Sequence, residues 1–314
     1  MMRERLDQVL RRDVTRQQAW RCLKKFVAKE RFDQILDGRQ EADEKIKMMK
    51  EECIEWHLNQ MHGMASCQLW RLMEDDAYDS TGLIKMWRKL NIKAGMWKII
   101  MQVQTNCIIT GYRKSLITGN ERDKFCKDCR NKMVSLQHGI CGCKMTKLQH
   151  LQTHDEVCFS IYKALAEKHK LWEETWTREL FGKVATRGNT TIMMERWILK
   201  KDELSENVPR CPDIFLEVGK ELGLIIDVAI TRDEKMIGWF SQKNEKYQRL
   251  RNEVKRLHKL KKVEIIPVIV SYNGLTLAAS MRLLEKHVQL DWARVIRRVV
   301  VKSALTVVQY LARG

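Results

Sequence analysis

Asp227 is the residue most in need of a chemical reason. It stands in the middle of Leu224-Ile225-Ile226-Asp227-Val228-Ala229-Ile230, a run of strand length that is otherwise apolar. Burying a carboxylate without a partner is costly, so this one must meet a cation, either a basic side chain or a metal ion. A hairpin with its turn near Glu221 pairs position 213 with 229 and makes Asp213 and Asp227 diagonal neighbours on one sheet face. A one-residue slip would send them to opposite faces. Two converging carboxylates are hard oxygen ligands, suited to Mg2+ beside a phosphate-bearing substrate. The next segment supplies positive charge. In a helix over 234 to about 260, the apolar stripe is Phe240, Tyr247, Leu250, Val254 and Leu257, and Lys243 falls inside it with Lys246 at its edge. An inward ammonium beside two inward acids suits metal-assisted phosphodiester hydrolysis, where charge builds on a phosphate under attack. The plainer alternative is a buried salt bridge between Lys243 and Asp227.

A second constellation is thiol-based. Cys126 and Cys129 are separated by two residues, eight more lead to His138, and four more lead to Cys143. Three thiolates and an imidazole at these spacings can close a tetrahedral Zn2+ site, with Gly139 and Gly142 letting the backbone bend. Cys141 could replace Cys143 as the last ligand, and His150, His154 and Cys158 are near enough in sequence to compete. Buried cysteines without a metal are the alternative. Lys124, Lys127, Arg130, Lys132, Lys144 and Lys147 surround these ligands, as phosphate contacts or as solvated charges.

The elements that must position these groups follow from pattern and composition. The 314 residues carry 58 Lys and Arg against 40 Asp and Glu, a formal charge of +18, with only 3 Pro. Such an excess favours a polyanionic partner. The apolar runs 222–230 and 263–270 are too short to span a bilayer, and each holds a carboxylate, Asp227 or Glu264. The Arg-dense start lacks the apolar core of a secretory signal, so the cysteines are expected in a reducing compartment, as metal ligands rather than disulfides. Residues 1 to about 113 read as helical, broken by the turn-forming 75–82, with Trp20, Trp56, Trp70, Trp87 and Trp97 as packing anchors. A Cys-, His- and Gly-rich module follows, then a helix over 159–170. Strands are expected from Pro209 onward: a hairpin of 213–218 with 224–230, a buried strand over 263–270, a turn at Gly274 and two final helices.

Pro212-Asp213, thirteen residues, Asp227 and then Lys243-x2-Lys246-Tyr247 resembles the PD-(D/E)xK nuclease pattern, in the form used by site-specific non-LTR retrotransposons. Cys126, Cys129, His138 and Cys143 resemble that family's CCHC knuckle, and Thr153-His154-Asp155-Glu156-Val157 resembles the segment between knuckle and nuclease. The likeness covers about 124–314; the usual lysine two residues after the second acid is Ala229 here, so the basic role passes to the helix. The resemblance implies an α/β nuclease core, a mixed sheet flanked by helices, at 161–314. A zinc knuckle at 116–160 and an all-helical region at 1–115, possible linker or thumb-proximal sequence, would precede it. It implies catalytic Asp213, Asp227 and Lys243, with Lys246, Tyr247 and His154 assisting, structural Zn2+ and catalytic Mg2+. The activity implied is nicking of target DNA in the nucleus to prime reverse transcription of the element's RNA, without a membrane or small-molecule substrate. An inactive remnant acting as a zinc-dependent nucleic-acid-binding module is the alternative, and a host junction-resolving nuclease with the same core a weaker one. Arg249, Arg251, Lys255, Arg256, Lys259, Lys261, Lys262, Arg294, Arg297 and Arg298 are the residues expected to track a nucleic-acid backbone, or else to form a solvated face.

Overall fold

The structure, a computed structural model, describes residues 68–89, 94–121, 124–199 and 211–313. The chain divides into two units, Met1–Trp70 and Arg71–Gly314, and almost all described residues belong to the second. The helical expectation for 1–67, with Trp20 and Trp56, lies outside the described residues, as does Pro209.

The centre of the second unit is the pair of strands on either side of Gly219. β4 (Ile214–Val218) and β5 (Leu222–Thr231) form an antiparallel hairpin in which Val218 faces Leu222 and Ile214 faces Ile226. The turn is centred on Lys220, one residue earlier than expected, because Gly219 takes a left-handed φ of +55° and closes a three-residue loop. This corrects the pairing: the register runs on to place Asp213 level with Asp227 rather than diagonal to it. Their shared sheet face is unchanged, which corrects the expected flip: moving the turn centre by one residue shifts the partner by two, and only an odd shift of the pairing changes the face.

β5 continues through a 3-10 turn, Asp233–Lys235, into α5 (Met236–Lys246) and α6 (Gln248–Leu257) before β6 (Lys262–Ser271). The expected single helix is thus two. The break falls at Tyr247, whose φ of −99° and ψ of 2° leave the helical region while its side chain stays buried. β5 and β6 run parallel, which requires such a crossover, and both are buried over nearly their whole length. Phe215 and Ile225, on the Asp227 side of the hairpin, pack under Tyr247, Leu250 and Val254.

Among the described residues the sheet around this centre has seven strands, in the order β1-β7-β6-β5-β4-β3-β2. Strands begin well before Pro209: β2 (Val184–Arg187) and β3 (Thr190–Met194) are a hairpin closed by Gly188 (φ +58°) and Asn189, added antiparallel to β4. At the other edge β7 (Thr276–Leu277) pairs with β1 (Tyr78–Asp79), so the expected turn over 75–82 also carries a short strand. The region read as helical holds α1 (Thr81–Lys89), α2 (Ala94–Gln104) and α3 (Gly111–Thr118). α4 (Lys147–Lys168) begins twelve residues earlier than the helix expected over 159–170 and packs on β5 and β3. α7 (Ala278–Glu285) lies against β6, and α8 (Trp292–Arg313) packs against α1, α2 and α4. Glu156 of α4, buried, gathers Arg178, Arg298 at 3.3 Å and Lys302 at 2.9 Å, which ties α4 to α8.

Candidate functional site

The cysteine module folds around its own backbone turn. Phe125 and Met133 bridge antiparallel, the Cys126 N–H donates to the Lys132 carbonyl at 2.8 Å, and the Arg130 N–H donates back to Cys126 at 2.7 Å. Arg130 itself adopts a φ of +50° to make the turn. His138 opens a π turn, His138–Gly142, which delivers Cys143 to the same point. Ligand atoms of Cys126, Cys129, His138 and Cys143 all lie within 4.8 Å of one another. The Cys143 sulfur is 3.8 Å from that of Cys126 and 3.9 Å from that of Cys129. Zn–S bonds of about 2.3 Å in a tetrahedron put sulfurs about 3.8 Å apart. Nε2 of His138 is buried with no hydrogen-bond partner, an orphaned polar atom that a metal bond would satisfy. The four residues therefore fit a bound metal such as Zn2+.

Cys141 stands apart from this group. It packs against a cluster of Val103, Ile108, Leu136, Ile140, Tyr272 and Val307, and burial pushes its thiol up to about 12. Cys143, not Cys141, is thus the fourth potential ligand, and His150 also lies outside the set. Gly139 is required for close approach: a Cβ there would lie 2.5 Å from the Tyr310 ring, which meets His138 edge-on at 6.0 Å. Lys127, Arg130, Lys132, Lys144 and Lys147 are exposed around the module, while Lys124 pairs with Glu121 at 2.9 Å.

The carboxylate centre is assembled from three elements. Asp227, 3% exposed in the middle of β5, forms an ion pair with Lys243 of α5 through Oδ2. Its Oδ1 accepts a hydrogen bond from the Tyr247 hydroxyl at 2.9 Å. Burial, followed by the Asp227 charge, raises the Tyr247 hydroxyl far above its ordinary value, so it remains a donor. Lys246 is exposed, yet its ammonium reaches the Tyr247 oxygen at 2.8 Å. Asp213, just before β4, accepts from the Val228 N–H at 2.6 Å through Oδ2. The same oxygen lies 3.2 Å from Nε2 of His154 on α4. Burial opposes ionisation of Asp213, but His154, the Val228 N–H and Lys243 outweigh it and hold its carboxyl below the usual range. Burial likewise opposes charge on His154, and Asp213 and Asp155 overcome it, lifting the imidazole to about 9.

Asp213, Asp227, Lys243 and Tyr247 are thus brought to one place, with Lys246 joined through Tyr247 and His154 through Asp213. Chemically, this is a pair of level carboxylates on neighbouring strands, each next to a cation. Cys158 and Asp155 also touch the site through His154, at 3.7 Å and 3.2 Å. The signal for Cys158 was its i,i+4 spacing from His154, which puts both on one face of a helix once α4 is known to start at Lys147.

No protein-family model matches this chain, and no curated protein matches it. Among the described residues no helix is long and apolar enough to cross a membrane.

Proposed function

We propose that this chain is a metal-dependent DNA endonuclease with a PD-(D/E)xK core, carried by a site-specific non-LTR retrotransposon polyprotein. In this reading it nicks target DNA in the nucleus to prime reverse transcription of the element's RNA. The observation that carries it is the meeting of Asp213 and Asp227, level on adjacent strands, with Lys243 and Tyr247 from the helices that follow. Asp213 and Asp227 would hold a divalent ion such as Mg2+, which when bound supplies charge to polarise a phosphate and its attacking water. Oδ1 of Asp213 accepts no hydrogen bond from the described residues and offers a hard ligand atom. Lys243 brings the cation nearest the acids and neutralises charge gathering on the phosphate under attack. Tyr247 and Lys246 orient Asp227 by way of the phenolic oxygen, and His154 fixes Asp213 while holding a proton on the far side. Exposed Arg249, Lys255, Arg256, Lys259, Lys261 and Lys262 supply a basic face for the DNA backbone.

The test is nicking of supercoiled plasmid in Mg2+ by the parent chain, abolished in Asp213→Ala and Asp227→Ala. Equal cutting by Asp227→Ala refutes the assignment. One observation favours a second reading: both Asp227 oxygens are already engaged by protein groups, Lys243 and Tyr247. A zinc-dependent nucleic-acid-binding module without catalysis would have such a closed centre. It predicts no cleavage in Mg2+ or Mn2+ and binding that falls steeply with salt.

A further inference from the structure

Three elements that hold the carboxylate centre run on from it to one cavity. On β5, Ile230 lies three residues beyond Asp227, about 10 Å along the strand. On α5, Trp239 lies one turn before Lys243, and on α4, His150 lies one turn before His154, about 6 Å along each helix. Ile230, Trp239 and His150 all line a cavity of about 500 Å³, to which the cysteine module contributes Lys132. That volume falls within the roughly 300–1,000 Å³ of small-ligand sites. Among the described residues the lining holds three cations, Lys132, Arg232 and Lys235, and no carboxylate. Arg232 is held in place by Gln137 at 2.9 Å and Glu234 at 3.2 Å. Lys132 and Lys235 are exposed and, among the described residues, belong to no ion pair. The Trp239 ring is 40% exposed, and the Lys243 ammonium lies 6.0 Å from its centroid, which joins the cavity wall to the acids. Burial, then the His154 charge, holds His150 below its ordinary range, so it meets a ligand as a neutral hydrogen-bonding group.

We propose that this cavity takes one unpaired nucleotide of the bound DNA strand, its base stacked on Trp239 and its phosphates on Lys132 and Lys235, next to the phosphate held at the carboxylate centre. A DNA strand carries one phosphate per about 3.4 Å of axis, so the rise from Lys243 to Trp239 corresponds to about two nucleotides. An indole stacks only on a base whose face is free of its neighbour, so the nucleotide must be single-stranded or turned out of the duplex. Phosphate contacts carry no sequence information, and stacking tolerates every base. The cavity therefore selects strand state rather than sequence. Its place beside the cut rests on the nuclease reading; the base-stacking site itself does not.

The experiment uses the full chain, loaded with zinc and held in Ca2+ in place of Mg2+ so that the strand stays whole. Fluorescence anisotropy follows its binding to a labelled dT oligonucleotide as a single strand, paired with its dA complement, and as a single strand stripped of its bases. Trp239→Ala should weaken the single strand by about 5- to 150-fold, as loss of one base–aromatic stack does, and the duplex and base-free strand by less than about 2-fold. Trp239→Phe should recover most of the loss. Lys132→Gln and Lys235→Gln should weaken the strand with and without bases alike, each flattening the slope of log affinity against log salt by about 0.7. Thermal melts report the fold of every variant. A Trp239→Ala chain that binds the single strand like the parent, or loses the base-free strand or the duplex equally, overturns the stacking site. Lysine variants with the parent's salt slope overturn the phosphate contacts. Where the chain cuts, an abasic nucleotide within about two positions of the mapped nick should slow the parent and slow Trp239→Ala no further. Equal slowing of both overturns the place beside the cut. A chain that never cuts DNA sinks the nuclease reading and leaves the anisotropy decisive for the cavity. A chain that cuts, but whose Trp239→Ala variant binds and cuts like the parent, sinks only the cavity's role.

Discussion

Removing Asp227 separates structure from chemistry at the carboxylate centre. Asp227→Ala leaves the Lys243 ammonium without its partner in a place where the two side chains are 4% and 13% exposed. Breaking a buried pair from one side costs about 3–5 kcal/mol, because the surviving charge stays desolvated. In a unit of the size of Arg71–Gly314, each kcal/mol moves Tm by about 2–4 °C, so the variant should melt about 6–20 °C below the parent. The pair Asp227→Leu with Lys243→Met removes both charges and keeps apolar volume, and should recover most of that loss. Tyr247 loses its Asp227 acceptor in both variants, so the difference between them reports the ion pair. Thermal melts by circular dichroism measure the stability, and plasmid nicking in Mg2+ measures the chemistry, which should be absent from both. A double variant no more stable than Asp227→Ala would refute the coupling of Lys243 to Asp227. Nicking that survives in a well-folded double variant would refute the catalytic role.

Three further outcomes are expected. Cys143→Ser should lose the zinc of the cysteine module while Cys141→Ser keeps it, read by metal content after dialysis, because only the Cys143 sulfur lies within tetrahedral reach of Cys126 and Cys129. The His154–Asp213 pair should make stability pH-dependent. With His154 lifted to about 9, its contribution is full below its ordinary value of about 6.5 and fades as pH climbs through about 9. Asp213, held low, contributes above about pH 4 and loses its share in acid. Melts from pH 6 to 10 should show an alkaline decline that His154→Gln flattens. Gly139→Ala should cost about 1–3 kcal/mol by forcing a methyl group into the Tyr310 ring, and Tyr310→Ala in the same chain should relieve part of that strain in the same melts.

The face on which a strand residue lies depends on its own strand's period of two, whereas its partner across the ladder depends on the turn. Asp213 and Asp227 were legible as sharing a face for that reason. The turn closed on Lys220 instead of Glu221, the pairing moved by two, and the face survived. The inward aim of Lys243 was legible on the same footing, from its place in a helical stripe, even though the helix breaks at Tyr247. That break is a tertiary event: the buried tyrosine reaches Asp227 across the sheet, and no local pattern announces the contact. The β2–β3 hairpin is not legible in the sequence because Thr186 to Thr191 is polar and largely exposed, so it carries no apolar alternation. β1 and β7 are two-residue strands, below the length at which any period can be read. The fourth cysteine ligand was ambiguous for a related reason. Cys141 and Cys143 have equal claim by spacing, and what separates them is the π turn, which sends Cys141 into the apolar cluster under Tyr272 and Cys143 to the other sulfurs. Spacing along a chain constrains which groups can reach a metal, but the turn geometry between them decides which one does.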